Sequence, residues 1–309
     1  MTLSRRDILS AAIQGAVGVS IASTGVTTAF ARERATPVVA TALTDDLLLV
    51  SGAGANVVAA RAENGILLVD GGAEARSSAL LKTVRGQLRE KRVQTLFNTH
   101  WHPEQTGSNQ RLASEDVKII AHENTKLWLG RRISVAWRED AYGPLPPRAR
   151  PNNTIYTSAT LNSGGDTVEY GYLPQAHTDG DIYVFFRKAN VLVAGGVVSA
   201  DSWPIIDFQT GGWIGGLVAG LNTLIKLADD NTRIVPANGP LLTRKDLESQ
   251  RDMYMAIYDR LVKSLTKGLG PDEAAAAKPA DGYNTQWGDP NAFVLMAFKS
   301  LWGHFSPDA

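Results

Sequence analysis

Cysteine is absent from the 309 residues, which excludes disulfides, thiolate metal sites, iron–sulfur clusters and a cysteine nucleophile. Neither sign of charge dominates, since Lys+Arg and Asp+Glu each total 31. Bulk charge therefore draws in neither nucleic acid nor an anionic membrane. Long apolar runs are missing too. The mild stretch from Ile8 to Val26 is broken by Gln14, three glycines and several Ser and Thr, too weak for a stable membrane span. What is present is 44% hydrophobic residues with seven Trp, eight Tyr and eight Phe, enough for a sizeable core and incompatible with a disordered or collagen-like chain.

The N-terminus has the grammar of an address. Ser4-Arg5-Arg6-Asp7 precedes the apolar stretch, and Ala29-Phe30-Ala31 supplies a small-x-small cleavage signal. The paired arginines resemble the twin-arginine export signal. Residues 1–31 are expected to be a signal peptide, handled transiently by the twin-arginine machinery and removed. Its loss takes Arg5, Arg6 and Asp7 and leaves 29 basic and 30 acidic residues. The mature protein is then expected to be periplasmic or otherwise exported, with no stable membrane anchor.

Beyond residue 31 the pattern alternates strand and helix. Leu47–Val50, Asn56–Arg61 and Gly65–Val69 are short β-rich runs separated by Gly and Asn. Leu80, Leu81, Val84 and Leu88 then recur at helical spacing within 77–90. Strands are predicted at 93–98, 118–121, 154–161, 167–172, 181–187, 190–194 and 233–235. Helices are predicted at 106–113, 123–129, 215–228 and 242–269, with another over 291–302. Residues 131–153 carry Pro144, Pro146, Pro147, Pro151 and five Arg without a period. This long loop either covers a site and favours an anionic substrate or is a solvated surface. The simplest packing is an α/β (α+β) fold of αββα type, two sheets between helices. Residues 32–260 are expected to form the main domain and 261–309 a small C-terminal helical extension.

The five histidines are His100, His102, His122, His177 and His304. His100 and His102 follow an apolar strand, and an extended His-x-His sends both rings to one side because side chains alternate. His177 sits in a second turn that feeds a strand and is the natural third partner. Three protein ligands plus water define a catalytic rather than a structural zinc site. The spacing alone fits two satisfied structural histidines equally well. His122 reads as a strand end and helix cap, and His304 as a packing or surface residue. Trp203 and Trp213 either line a pocket mouth or belong to the core.

Asn98-Thr99-His100-Trp101-His102, Leu68-Val69-Asp70-Gly71-Gly72 before it, and Ala176-His177-Thr178-Asp179-Gly180-Asp181 after it resemble the metallo-β-lactamase superfamily in order and spacing. So do Val191–Ser199 and the Pro236–Pro240 turn, and the resemblance covers about residues 38 to 250. It implies a four-layer αββα sandwich with a metal site at one edge. It also implies that Asp70 supports the metal-binding loop, a role compatible with simple turn formation.

The chain departs from that family's pattern on one side of the site. The motif H-x-H-x-D-H would require Asp and His where Glu104 and Gln105 stand. Gly196 occupies the place of a bridging Asp, and Asn238 that of a further His. Glycine offers no donor, and neutral amides are poor ligands for a transition metal. Two dications ~4 Å apart repel by roughly 17 kcal/mol gross at an effective dielectric of about 20, and one Glu offsets little of it. The expected cofactor is therefore one zinc ion on His100, His102 and His177, with a second ion improbable.

Glu104 is the candidate general base, or else a group bonded to its own loop or facing solvent. Gln105 and Asn238 are candidates for positioning a small-molecule substrate, Asn238 alternatively holding its turn; Asp181 is a candidate support for the metal ligands. The expected function is an exported hydrolase acting on an ester, lactone, lactam or similar bond. The alternative is a catalytically silent metal- or ligand-binding protein of the same fold. Nucleic acid is not an expected partner.

Overall fold

The computed structural model describes residues 36–283 and 285–305, so the expected signal peptide lies outside the described residues. Twelve strands form two sheets. The first runs in chain order through β1 (Val39–Ala42), β2 (Leu47–Ser51), β3 (Val57–Ala62), β4 (Gly65–Val69), β5 (Val93–Phe97), β6 (Lys118–His122) and β7 (Asn153–Ile155). It is antiparallel up to β4 and parallel from there. The second takes the order β12-β11-β10-β9-β8, built from β8 (Ser158–Ser163), β9 (Asp166–Leu173), β10 (Asp181–Phe186), β11 (Val191–Gly195) and β12 (Arg233–Pro236).

The central strands are nearly continuous apolar runs because both of their faces are covered. Side-chain alternation divides each run between two cores. Leu67 and Val69 of β4, with Ile182, Val184 and Phe186 of β10, meet between the sheets. Ile66 and Leu68 point the other way, onto Leu80, Leu81, Val84 and Leu88 of α1 (Ser77–Leu88). Tyr183 and Phe185 face the opposite outer layer of helices. Those helices follow α2 (Pro103–Thr106), α3 (Asn109–Leu112) and α4 (Glu123–Leu129) in the chain; they are α5 (Ile214–Leu227), α6 (Arg244–Thr266), α7 (Pro271–Ala276) and α8 (Asn291–Phe305). The result is the expected αββα sandwich. Truncating a fully buried leucine such as Leu68 would cost about 2–5 kcal/mol.

Three boundaries differ from expectation, the helix expected over 106–113 being the two short helices α2 and α3. The single strand expected over 154–161 is two: β7 closes the first sheet and β8 opens the second, with Tyr156 and Thr157 carrying the chain across. An apolar-rich run shows no periodic sign of changing sheets. The domain boundary expected at 260 falls within α6, and Phe293, Val294, Phe298 and Leu301 of α8 share one core with Leu217 and Leu221 of α5 and Tyr254 of α6. From Pro37 onward the chain forms one compact unit. Among the described residues no helix is long and apolar enough to cross a membrane.

Candidate metal centre

The site forms where the two sheets meet at one end. After β5, Asn98 turns the chain: its side-chain amide donates to Gln105 O and to Asn109 Oδ1, both at 3.1 Å. The carbonyl of Thr99 receives the Ile182 N–H of β10 at 2.8 Å, tying this loop to the second sheet. His177, on the β9–β10 loop, is thereby brought opposite His100 and His102. The candidate ligand nitrogens of all three lie within 4.8 Å of one another, and all three residues are buried.

Each ring has its outward nitrogen held. His177 Nδ1 stands 2.6 Å from the carbonyl oxygen of Ile205, which can only accept, so that nitrogen carries the proton. His102 Nε2 lies 3.2 Å from Asp207 Oδ2 and donates to the carboxylate. His100 Nδ1 lies 3.0 Å from Thr99 Oγ1, whose own proton goes to Asp70, 2.9–3.0 Å away. With the outward nitrogens protonated, the inward ones are bare lone pairs. His102 Nδ1 and His177 Nε2 face each other at 3.3 Å.

Two lone pairs at that separation repel unless a cation lies between them. The spacing matches the edge of a tetrahedron with metal–nitrogen bonds of ~2.05 Å. Electrostatics agree: burial, followed by neighbouring positive charge, holds His100 and His102 well below the ordinary imidazole range, and burial lowers His177. Neutral imidazole is the form that binds a metal. The donor set fits a zinc-class ion.

The remaining sequence candidates occupy distinct places. Asp70, at φ 67°, accepts both the N–H (2.8 Å) and the hydroxyl of Thr99, which orients His100 from behind. Burial pushes its pKa up to about 7 against those hydrogen bonds. Asp181 accepts the N–H of Thr178 at 2.7 Å and its hydroxyl at 3.1 Å, shaping the turn just after His177. Glu104 opens α2, and its carboxylate is 3.6 Å from Arg138 Nη1; burial raises its pKa while Arg138 opposes the rise. Gln105 is buried, its backbone carbonyl accepting from Gly71 N at 2.6 Å. The turn holding Asn238 is secured by Asn56, whose side chain donates to Pro236 O and Gly239 O. The Gln105 N–H donates to His102 O at 3.0 Å, but among the described residues no side-chain hydrogen bond joins Glu104, Gln105 or Asn238 to the histidines. A side chain at Gly196 would start 2.3 Å from the His177 ring.

The Arg-rich loop lies over the centre. Ile133 and Tyr142 form a small antiparallel bridge, and Trp101, Leu129, Ile133 and Val135 pack with Trp137 and Tyr142 into a separate apolar cluster. The Trp137 ring is 4.5 Å from that of His102. Trp203 and Trp213 belong elsewhere: Trp203 packs on Phe293 and Trp287, and Trp213 stacks on His304 at 3.6 Å. His122 caps α4, its Nδ1 accepting from Asn124 N. Sequence reasoning missed Asp207 and Trp137, which lie 105 and 35 positions from His102 and reach it only through tertiary packing.

Comparison with known proteins agrees with this geometry. The linear primary-alkylsulfatase of Pseudomonas sp. (strain ATCC 19151) is 23% identical over 251 residues, 69% of this chain and 47% of that protein; the chain thus spans about half the length of this curated relative. The stereoselective inverting sec-alkylsulfatase from Pseudomonas sp. superposes with a TM-score of 0.68 at 14% identity, covering 88% of this chain and 52% of that one. The metallo-beta-lactamase from Pontibacter korlensis gives 0.57 at 16% identity, over 71% of this chain and 99% of that one. The family model for the metallo-beta-lactamase superfamily matches residues 51–274, and the chain belongs to that superfamily.

Proposed function

We propose that the protein is an exported hydrolase working with a single zinc ion held by His100, His102 and His177. The observation that carries this reading is the convergence of three bare imidazole nitrogens whose opposite nitrogens are all engaged. A zinc ion bound there would polarise the substrate and lower the pKa of its water to about 7. The Asp70–Thr99 pair holds the His100 ring in place. Trp101 and Trp137 shield the centre from bulk water on the loop side. Glu104, two residues past His102, is the candidate base; burial raises its pKa and Arg138 opposes that rise. The two alkylsulfatase relatives support adding alkyl sulfates to esters, lactones and lactams as candidate substrates.

A second reading, a binder without turnover, is favoured by one observation: Glu104 is ion-paired to Arg138 and is not among the clustered candidate ligands. Metal analysis of the purified protein and turnover on a panel of those substrates separate the two. The hydrolase reading expects one equivalent of zinc and a 10²–10⁴-fold drop in rate for Glu104→Gln. Bound zinc with no turnover on any substrate leaves the binder. Export is tested by fractionating cells that express the full chain and an Arg5→Lys/Arg6→Lys variant, which should stay inside.

A further inference from the structure

Asp207 engages both halves of the centre. It is fully buried; its Oδ2 meets His102 Nε2 at 3.2 Å, and its backbone N–H donates to His177 O at 3.0 Å. Two residues earlier, the Ile205 carbonyl takes the His177 Nδ1 proton. One short segment thus braces two ligands that come from different sheets. The other carboxylate oxygen, Oδ1, is buried without a hydrogen-bond partner, and so is the indole Nε1 of Trp137. The adjoining loop residue Ala136 donates its N–H to Gln209 Oε1 at 2.6 Å, so the loop meets the 207–210 turn. A buried donor and a buried acceptor left without partners are each costly. A hydrogen bond between the two would remove both costs. Trp137 stands against the same His102 ring that Asp207 meets, with 4.5 Å between the ring centroids.

We infer that Asp207 is a positioning residue joining the 131–150 loop to the metal centre: Oδ2 keeps His102 Nδ1 turned inward, and Oδ1 receives the Trp137 N–H when the loop closes over a ligand. The first half rests on the metal-centre reading; the second does not. Asparagine separates them, because its one amide oxygen can serve only one of the two donors.

The test uses the full-length chain with Asp207→Ala, Asp207→Asn and Trp137→Phe, each checked for a parent-like thermal melt. Zinc affinity by chelator competition should fall 10–100-fold in Asp207→Ala and stay at the parent value in Trp137→Phe. Asp207→Asn should keep zinc affinity yet share with Trp137→Phe a faster proteolytic cleavage within 131–150. Nitrogen-15 NMR of the metal-free protein should show His102 as a single Nε2–H tautomer in the parent and Asp207→Asn, and as a mixture in Asp207→Ala. Parent affinity and tautomer in Asp207→Ala overturn the positioning role. Unchanged cleavage in Trp137→Phe overturns the loop contact. A parent that takes up no zinc overturns the metal reading, while tautomer and cleavage still decide for Asp207. Should Asp207→Ala not fold, Asp207→Leu, close to Asp in size and without an acceptor, is read in its place: lost zinc affinity and a mixed tautomer support the positioning role, and parent values of both overturn it.

Discussion

The two sides of the centre are built on opposite principles. On the histidine side every outward nitrogen ends on an acceptor fixed by its own backbone: Thr99 and behind it Asp70, Asp207, and the Ile205 carbonyl. On the other side stand Glu104, Gln105, Gly196 and Asn238, with one carboxylate among them, and that one faces Arg138. Nor is there room at Gly196, where a Cβ would press on the ring of His177. Ligands are thus held where charge is to be bound and replaced by neutral or paired groups where it is not. Rigid support follows the chemistry.

The comparison can be broken most decisively at His100. His100→Ala should abolish zinc uptake and any turnover, read by metal analysis; an equivalent of bound zinc in that variant would mean the ion sits elsewhere. Next, Gly196→Asp restores the acid that the family places there. The clash with His177 should lower stability by about 1–3 kcal/mol and weaken the first ion, by urea unfolding and chelator competition. Uptake of a second zinc would erase the contrast between the sides.

Asp70→Asn should weaken zinc binding 10–100-fold by loosening His100. In the metal-free protein it also has a pH signature. The folded-state pKa of about 7 lies above the value of 3.8 for a free Asp, so the folded state holds this proton longer. The stability Asp70 contributes is present below pH 3.8 and lost as pH rises to about 7. The unfolding free energy of Asp70→Asn relative to the parent should therefore rise across that window. Smallest is Arg138→Met: the part-exposed pair with Glu104 is worth about 0–1 kcal/mol, with zinc affinity unchanged.

Much of this was legible in the chain because it is local. The helical spacing of Leu80, Leu81, Val84 and Leu88 gave α1, and the paired histidines after an apolar strand pointed to the centre. His122 needed only its neighbours to read as a cap. The contributions of Asp207, Trp137 and Ile205 were hidden because each depends on a contact across many residues, and no periodicity encodes a carboxylate meeting an imidazole. Trp203 and Trp213 stayed undecided in the sequence for the same reason: large aromatics near glycines look alike whether they edge a pocket or pack under α8. The strand split at Tyr156 escaped because β7 and β8 differ in sheet, not in composition.

That split has a further consequence. Among the described residues, every strand before Tyr156 joins one sheet and every strand after it the other, so His100 and His102 belong to the first portion of the polypeptide and His177 to the second. An ion gripping all three acts as a rivet between two consecutively made pieces. The firmness of their union would then follow the free zinc concentration, rising by RT ln(1 + [Zn]/Kd), and scavenging the ion would loosen the seam before either layer melts.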